Sequence, residues 1–305
     1  MTKLSEKAVL IKVYGKTWRG VVKDKEATAT AAASFNTTDK WVTLSKQLVD
    51  PVILQQPKKI LGAARNYLRG NTSGALDGNR ITGGLPAWDD NGKHILPNAL
   101  NEQVLRNLGE FQSQFEKAVD DLSRILPSAI EQARQENPDL FKDDDYGGYE
   151  SSAALIENHY EMGRELDMIP DSNDIRVTAS AEFVAALKGE VEDRANKRLN
   201  EVAEHTRTAI IDTIRHFADS LSDYDPDNKR ATAFRDSTVD KVRELVPVAR
   251  ALNIDGDARV DNALTDIVNV LGNRSAKSLR EDAADRQHVA AEATKLADNL
   301  TSIFN

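Results

Sequence analysis

Cysteine is absent from this chain of 305 residues, and aromatic side chains make up only 6% of it. Without cysteine there can be no disulfide, no thiol nucleophile and no zinc site built from thiolates. The sequence also lacks a run of about 18 apolar residues that could cross a membrane, and residues 1–7 lack the apolar segment of a signal peptide. Together these absences predict a protein of a reducing compartment, the cytoplasm.

Sequence motifs for catalysis and cofactor binding are also missing. The chain has no Gly-x-x-x-x-Gly-Lys-Ser/Thr loop, no Gly-x-Gly-x-x-Gly, no Gly-x-Ser-x-Gly and no His-Glu-x-x-His. Residues 223–228 look like the first half of a calcium loop but lack its glycine and its closing glutamate. The sequence therefore predicts no enzyme activity, no cofactor and no metal. The five histidines are scattered, at positions 94, 159, 205, 216 and 288.

Charge is distributed unevenly along the chain, whose net charge is −9. Residues 1–70 contain 13 Lys or Arg against 5 Asp or Glu, whereas the remainder contains 27 against 44. The excess of +8 in the first segment and of −17 in the second predicts that opposite charges attract each other, within the chain or between copies. The same distribution leaves an alternative open, in which residues 1–70 bind DNA or RNA.

The apolar pattern predicts a mainly α fold. A long helix is expected from Asn98 to about residue 133, with an apolar stripe of mean spacing 3.6 residues and a kink or break at Pro127. Ser180 is predicted to cap a longer helix, whose stripe has a mean spacing of 3.8 residues rather than the 3.5 of a left-handed coiled coil. These helices should pack as an elongated hairpin or bundle. Two further helices are predicted over 231–252 and 258–304.

Strand structure is expected in two places only. Residues 8–14 are a β-prone run near the N-terminus, and residues 166–177 indicate a short hairpin around a Pro-Asp-Ser-Asn turn. The composition divides the chain into residues 1–145, mixed and basic at the start, and residues 146–305, all-helical and acidic. Shorter helices are predicted over 23–35, 39–48 and 57–70.

A glycine-rich stretch over residues 70–98 predicts a long loop that carries Trp88, Asp89 and Asp90. An aromatic side chain in such a loop is predicted to dock on another copy or on a partner. A tryptophan folded back to cap its own domain would explain the pattern as well. The interaction hypothesis also includes the other two tryptophans, Trp18 and Trp41.

Three segments carry a resemblance to a known family. Residues 88–97 are similar to a tryptophan–acidic–glycine–arginine–leucine–proline stretch, with His94 where arginine is frequent. Residues 168–177 are similar to a proline–aspartate hairpin, and residues 234–257 to a helix with its closing turn. The family so resembled is a domain of unknown function in tailed-phage and prophage proteins, often encoded beside a MoxR-type AAA+ ATPase. The resemblance implies a phage protein of the host cytoplasm with an ATPase as partner, and it assigns no functional residue.

These observations favour an interaction protein over the other classes. It would form a homo-oligomer, with the basic N-terminal segment of one copy on the acidic helices of another, or serve as an adaptor for an AAA+ ATPase. A DNA- or RNA-associated accessory protein that binds through residues 1–70 is the alternative. An enzyme with a carboxylate site at Asp89 and Asp90 is a third hypothesis, which no sequence motif supports.

Overall fold

The computed structural model describes residues 3–71, 81–141, 145, 152–175, 178–227 and 234–304. Helices account for 65% of this part of the chain. The strands form one three-stranded and one two-stranded sheet. The fold is therefore mainly α with a small β element near the N-terminus, as the apolar periodicity predicted.

The first half of the chain alternates short helices and strands before one long helix. Its elements are α1 (Leu4–Lys7), β1 (Ala8–Lys16), β2 (Val21–Lys23), α2 (Lys25–Ser34), β3 (Ser45–Gln47), α3 (Gln55–Leu68), β4 (His94–Pro97) and α4 (Asn101–Glu136). The helices predicted over 23–35 and 57–70 are confirmed by α2 and α3. Of the two outcomes predicted at Pro127, a kink or a break, the break is wrong, because α4 continues through this residue.

The second half is dominated by helices. Its elements are α5 (Ser152–His159), β5 (Glu161–Met168), α6 (Ala181–Ser222), α7 (Asp236–Leu252), α8 (Ala258–Leu271), α9 (Ala276–Glu281) and α10 (Ala283–Phe304). The predicted cap at Ser180 is confirmed, since its side chain accepts a hydrogen bond from the backbone N–H of Phe183. The single helix predicted over 258–304 is wrong. Gly272 ends α8 with a positive φ of 53°, and Ser275 starts α9 with a capping box.

β1 is the central strand of the larger sheet, whose order is β4-β1-β5. Its antiparallel pairing with β4 places Ala8 opposite Pro97 and Ile11 opposite His94. Ala8, Leu10 and Ile11 are all buried, so this apolar run is part of the core. The smaller sheet joins β2 and β3, with Val21 opposite Gln47.

The prediction of strand structure in two places only is wrong, because β2, β3 and β4 lie outside both of them. Residues 39–48 are not a helix but a loop followed by β3, because the backbone N–H of Leu44 donates to the Thr28 hydroxyl and not to its own segment. The hairpin predicted over 166–177 would begin with a strand at residue 166. The observed strand, β5, begins at Glu161 instead, and its neighbour in the sheet is β1. A 3-10 turn follows at Ser172–Asp174. Residues 176 and 177, in the second arm, lie outside the described residues.

The chain forms two compact units, each of which takes residues from both sides of the boundary predicted at 145. Unit 1 comprises residues 1–12, 65–107 and 165–305, and unit 2 comprises residues 13–64 and 108–164. In unit 1, the second half of α6 packs against α7 and α10. The core of this bundle includes Ile210, Ile214, Phe217, Leu264, Ile267 and Val289. In unit 2, one face of α4 is buried through Phe111, Phe115, Leu122 and Leu126.

Candidate interaction surfaces

Residues 85–97, called the Trp88 loop below, form an ordered turn in unit 1. The backbone N–H of Trp88 donates to the carbonyl oxygen of Lys93 at 2.7 Å, and that of Ile95 donates to Pro86 at 2.8 Å. These bonds pair the two arms of the loop as in a hairpin. The loop therefore presents Trp88 on a defined backbone, within the stretch that the sequence predicted to be irregular.

Asp89 shapes the tip of the Trp88 loop. Its carboxylate oxygen Oδ1 accepts hydrogen bonds from the backbone N–H groups of Asn91 at 3.0 Å and Lys93 at 3.1 Å. Gly92, between them, has a φ of 85°, which favours glycine. Asp89 is partly buried and supports the turn, whereas Asp90 is exposed.

Replacing Asp89 by alanine is expected to loosen the tip of the loop without unfolding unit 1. The change removes two hydrogen bonds to backbone N–H groups, whose net contribution is about 1 kcal/mol each. Amide exchange at Asn91 and Lys93 should become at least about fivefold faster. Asp90→Ala is the matched control and should leave both rates unchanged. Equal rates in both variants would contradict the assigned role of Asp89.

The Trp88 side chain packs on its own unit. The guanidinium carbon of Arg198, on α6, lies 5.8 Å from the centroid of a Trp88 ring, which is within the range of a cation–π contact. Trp88 remains partly exposed. This contact is the one expected of a tryptophan that caps its own domain, and docking through Trp88 stays a prediction.

Two residues of the loop were not selected from the sequence. The side chain of Lys93 donates to the carboxylate of Asp167, and this bond raises the pKa of Lys93 and lowers that of Asp167. His94 is buried, with Nδ1 3.0 Å from the carbonyl oxygen of Leu85, and burial lowers its pKa. A neutral imidazole that donates from Nδ1 thus holds the base of the loop. The apolar residues Ile95 and Leu96 were the only sequence signal for this burial.

α6 is buried along one half only. From Val202 to Leu221 its inward side chains are buried, among them Ile210 and Phe217. Over residues 181–201 no residue is buried. The apolar stripe nevertheless continues through this half as Phe183, Leu187, Val191, Ala195 and Leu199. Phe183 is 56% exposed and the other four are partly exposed. Such a stripe in contact with water indicates an interaction surface.

Trp41 is the most exposed of the three tryptophans, at 76%. It lies in the loop between α2 and β3, and Lys40 Nζ is 5.4 Å from its ring centroid. Trp18, between β1 and β2, is partly exposed. Both belong to unit 2, whereas Trp88 belongs to unit 1. Sequence reasoning missed Phe35, which precedes Trp41 in the same loop and is 74% exposed.

Part of the positive charge of residues 1–70 is neutralised within the chain. The predicted attraction between opposite charges is therefore seen inside one copy, for three lysines. The pairs are Lys3 with Asp171 at 2.8 Å, Lys16 with Glu161 at 3.7 Å and Lys46 with Asp145 at 2.6 Å.

The pair between Lys3 and Asp171 predicts a pH dependence. Hydrogen bonds from Lys3, from the backbone N–H of Asn173 and from the Ser5 hydroxyl lower the pKa of Asp171 to about 2. A carboxyl group with a lowered pKa stabilises the fold above its unfolded value of about 4, and this contribution is lost as the pH falls through about 2. An NMR titration should find the Asp171 midpoint near 2, and Lys3→Ala should raise it. A midpoint that stays unchanged in Lys3→Ala would rule out this pairing.

Metal and membrane sites are not evident in the described part of the chain. Among those residues, no group of three or more His, Asp or Glu is arranged to hold a metal ion. No helix within the described ranges is both long and apolar enough to cross a membrane. His205, on α6, has its Nε2 3.3 Å from the carbonyl oxygen of Gly84.

Comparison of the chain with protein families, with curated proteins and with solved structures finds no match in any of the three. The resemblance to the tailed-phage family therefore stays a prediction. The described part of the chain has two candidate interaction surfaces. One is the half of α6 over residues 181–201, and the other is the loop that carries Phe35 and Trp41.

Proposed function

We propose that the protein is a phage-encoded, non-enzymatic interaction protein of the host cytoplasm that assembles with copies of itself. The observation that carries this proposal is the partly exposed apolar stripe over residues 181–201 of α6. This segment is about 30 Å long. The other half of α6 has the same kind of stripe and buries it against α7 and α10. A second copy offers a matching apolar face, since identical surfaces pair about a two-fold axis.

Contacts from the same unit meet α6 beside this stripe. The Ser172 hydroxyl donates to the carboxylate of Glu192 at 2.6 Å, and the Trp88 ring lies against Arg198. Both contacts fix charged side chains next to the stripe and leave the apolar residues partly exposed. The stripe is therefore a defined surface on an ordered support.

Apolar burial supplies most of the affinity in this assembly. Exposed ion pairs contribute only about 0.2–1 kcal/mol each, whereas burial of one leucine or phenylalanine side chain contributes about 1.5–3 kcal/mol. Charge sets the orientation and the association rate. Salt should therefore weaken assembly gradually, because the Debye length shortens to about 8 Å at physiological ionic strength.

The apolar residues of the N-terminal segment are packed within their own chain, so the main contact is assigned to the α6 stripe and not to this segment. β1 is the central strand of its sheet, and Leu4, Ala8, Leu10 and Ile11 are buried. Residues 4–13 therefore contribute to the core and are not a free basic arm. Deleting residues 1–35 would remove β1 and would test folding instead of assembly.

Light scattering coupled to size-exclusion chromatography tests self-assembly directly. The full-length protein at tens of micromolar and low salt is expected to elute as an oligomer, and Phe183→Ala should lower its mass because it removes the most exposed apolar side chain of the stripe. Phe35→Ala is the matched control, since it removes an exposed phenylalanine from unit 2. A monomer under these conditions would refute the proposal.

Trp88→Ala is expected to weaken association about fivefold while the helix content stays the same. The ring orients Arg198 beside the stripe, and such a cation–π contact contributes about 1 kcal/mol. Circular dichroism and sedimentation equilibrium measure the two effects separately. Loss of helix in this variant would show instead that Trp88 caps its own unit and does not serve association.

The family resemblance adds a second partner to this proposal, an AAA+ ATPase of the MoxR type. An adaptor would carry its ATPase through purification from infected cells. Affinity capture of the tagged full-length chain, followed by mass spectrometry, should recover that ATPase together with untagged copies of the chain. Recovery of the copies alone would support assembly and exclude the adaptor role.

A further inference from the structure

The loop between α2 and β3 is held in one conformation by hydrogen bonds. The backbone N–H of Trp41 donates to the carbonyl oxygen of Thr38 at 3.0 Å. The buried hydroxyl of Thr28 accepts from the backbone N–H of Leu44 at 3.0 Å. A loop that is ordered before binding loses little conformational freedom when a ligand arrives.

Two large aromatic side chains of this loop face solvent. Phe35 and Trp41 are 74% and 76% exposed, which makes them the most exposed aromatic residues among the described part of the chain. Lys40 Nζ lies 5.4 Å from the Trp41 ring centroid and adds a cation beside the aromatic face. Aromatic surface left in water on an ordered loop indicates a binding role.

A shallow groove of about 440 Å³ lies along α2. Its lining includes Ala29, Ala32 and Ala33 of α2, whose small side chains let a ligand approach the helix closely. Lys23, Lys25, Thr37 and Thr38 line it, and Asp39 also borders it. Ammonium and hydroxyl groups beside small side chains are suited to phosphate and sugar oxygens.

Four cations of unit 2 form no ion pair with another residue of the described part of the chain. Lys3, Lys16 and Lys46 each have a carboxylate partner. No ion pair between described residues involves Arg19, Lys23, Lys25 or Lys40, and all four are exposed. The carboxylate of Asp24 caps α2, where it accepts from the backbone N–H of Ala27. These four exposed cations are therefore part of the positive charge that residues 1–70 can offer to a partner.

We infer that this region of unit 2, formed by Phe35, Trp41 and the cations Lys23, Lys25 and Lys40 and called the Trp41 surface, binds single-stranded nucleic acid. Each nucleotide of the ligand carries a phosphate and a flat base. The exposed cations of the surface can contact the phosphates, and its exposed aromatic rings can stack on the bases. An acidic protein segment would satisfy the lysines but would leave the rings without flat partners. Bases in a duplex are stacked on each other and cannot stack on Trp41.

The charge of the whole chain limits the affinity of this surface. Residues after position 70 carry an excess of −17, which repels phosphate. Binding should therefore be weak at physiological salt and strong only at low salt, because salt weakens the attraction between the lysines and the phosphates. Stacking of bases on the aromatic rings offsets part of the repulsion by the acidic remainder of the chain. This inference is independent of the α6 stripe, because it uses residues of unit 2 alone.

Fluorescence anisotropy with the full-length protein and a labelled 20-nucleotide oligothymidine at low salt tests the inference. The single strand should bind more tightly than a duplex of the same length. Trp41→Ala should weaken binding about tenfold, and Trp41→Phe should retain most of it because a phenyl ring still stacks. Lys23→Ala with Lys25→Ala should lower the slope of log K against log salt by about 1–2.

Phe183→Ala is the control variant, and it should bind the oligonucleotide as the natural chain does even where its assembly is impaired. Circular dichroism establishes that each variant is folded. The inference is overturned if the oligonucleotide fails to bind at low salt, if Trp41→Ala binds as tightly as the natural chain, or if the duplex binds equally well. The inference is also overturned if polyglutamate at equal charge displaces the oligonucleotide, because the surface would then bind acidic protein segments equally well.

Discussion

Replacing Phe217 by alanine is expected to destabilise unit 1 by about 3–5 kcal/mol, the range for removing a fully buried phenylalanine. Phe217 is 1% exposed in the second half of α6. Its ring centroid lies 6.4 Å from that of Phe234, in the core that α6 shares with α7, α8 and α10. The change would leave a cavity that neighbouring side chains fill only in part.

Phe183→Ala is the matched control, because the same side chain is removed from the same helix at a position that is 56% exposed. Its cost to the monomer should stay within about 0.5 kcal/mol. Urea denaturation, followed by circular dichroism at a concentration where the protein is monomeric, gives both values. Similar losses of stability in the two variants would contradict the burial assigned to α6.

Replacing Lys46 by alanine should be nearly as damaging, but in unit 2. Lys46 has a side chain that is 8% exposed and pairs with Asp145, which is 12% exposed. Its ammonium group also donates to the carbonyl oxygen of Leu140 at 2.9 Å. Removal of Lys46 takes the ammonium group of this pair away from a carboxylate that is largely buried, and breaking a buried ion pair in this way costs about 3–5 kcal/mol.

Amide exchange over Ser45–Gln47 is the most direct measurement of this loss, because Lys46 lies at the centre of β3. Lys40→Ala removes an exposed lysine nearby and should change the exchange rates little. Replacing both Lys46 and Asp145 by methionine should restore much of the stability, since no unpaired charge remains. A Lys46→Ala variant as stable as Lys40→Ala would show that the ion pair is not buried in solution.

The long helices could be predicted from the sequence because their causes are local. Ser180 caps α6 through a hydrogen bond to a residue three positions away, and the apolar spacing of α4 and α6 sets their inward faces. At Pro127 the sequence left a kink or a break open, and α4 continues through this residue to Glu136. A proline inside a helix removes one backbone hydrogen bond, and the sequence alone does not show whether that bends the helix or ends it.

The short strands could not be predicted because their causes lie far away in the chain. β4, His94–Pro97, is only four residues long and becomes a strand by pairing with β1, which lies about 80 residues earlier in the sequence. Likewise, residues 45–47 form a strand because they pair with β2. The backbone N–H of Leu44, just before this strand, donates to the hydroxyl group of Thr28. Neither segment has an apolar alternation long enough to indicate a strand alone.

The candidate surfaces were predictable in part. Sequence reasoning selected Trp41, whose exposure now supports a binding role, but it gave Asp89 the same role as Asp90. A sequence does not show whether a carboxylate is turned into its own loop or out to solvent. Phe35 was missed because a phenylalanine after an alanine-rich helix has the same pattern whether it is buried or exposed.

The position of β1 at the centre of its sheet has a consequence for synthesis on the ribosome. β1 is made before both of its partner strands: β4 follows about 80 residues later and β5 about 150 residues later, which at about 5–20 residues per second is a delay of several to tens of seconds. Until β4 has been made, both edges of the Ala-Val-Leu-Ile run lack their partner strands, and one edge still lacks its partner until β5 has been made. The nascent chain is thus a substrate for chaperones and for aggregation with its neighbours on the same messenger RNA. β1 reaches its full native pairing only after β5 has been made.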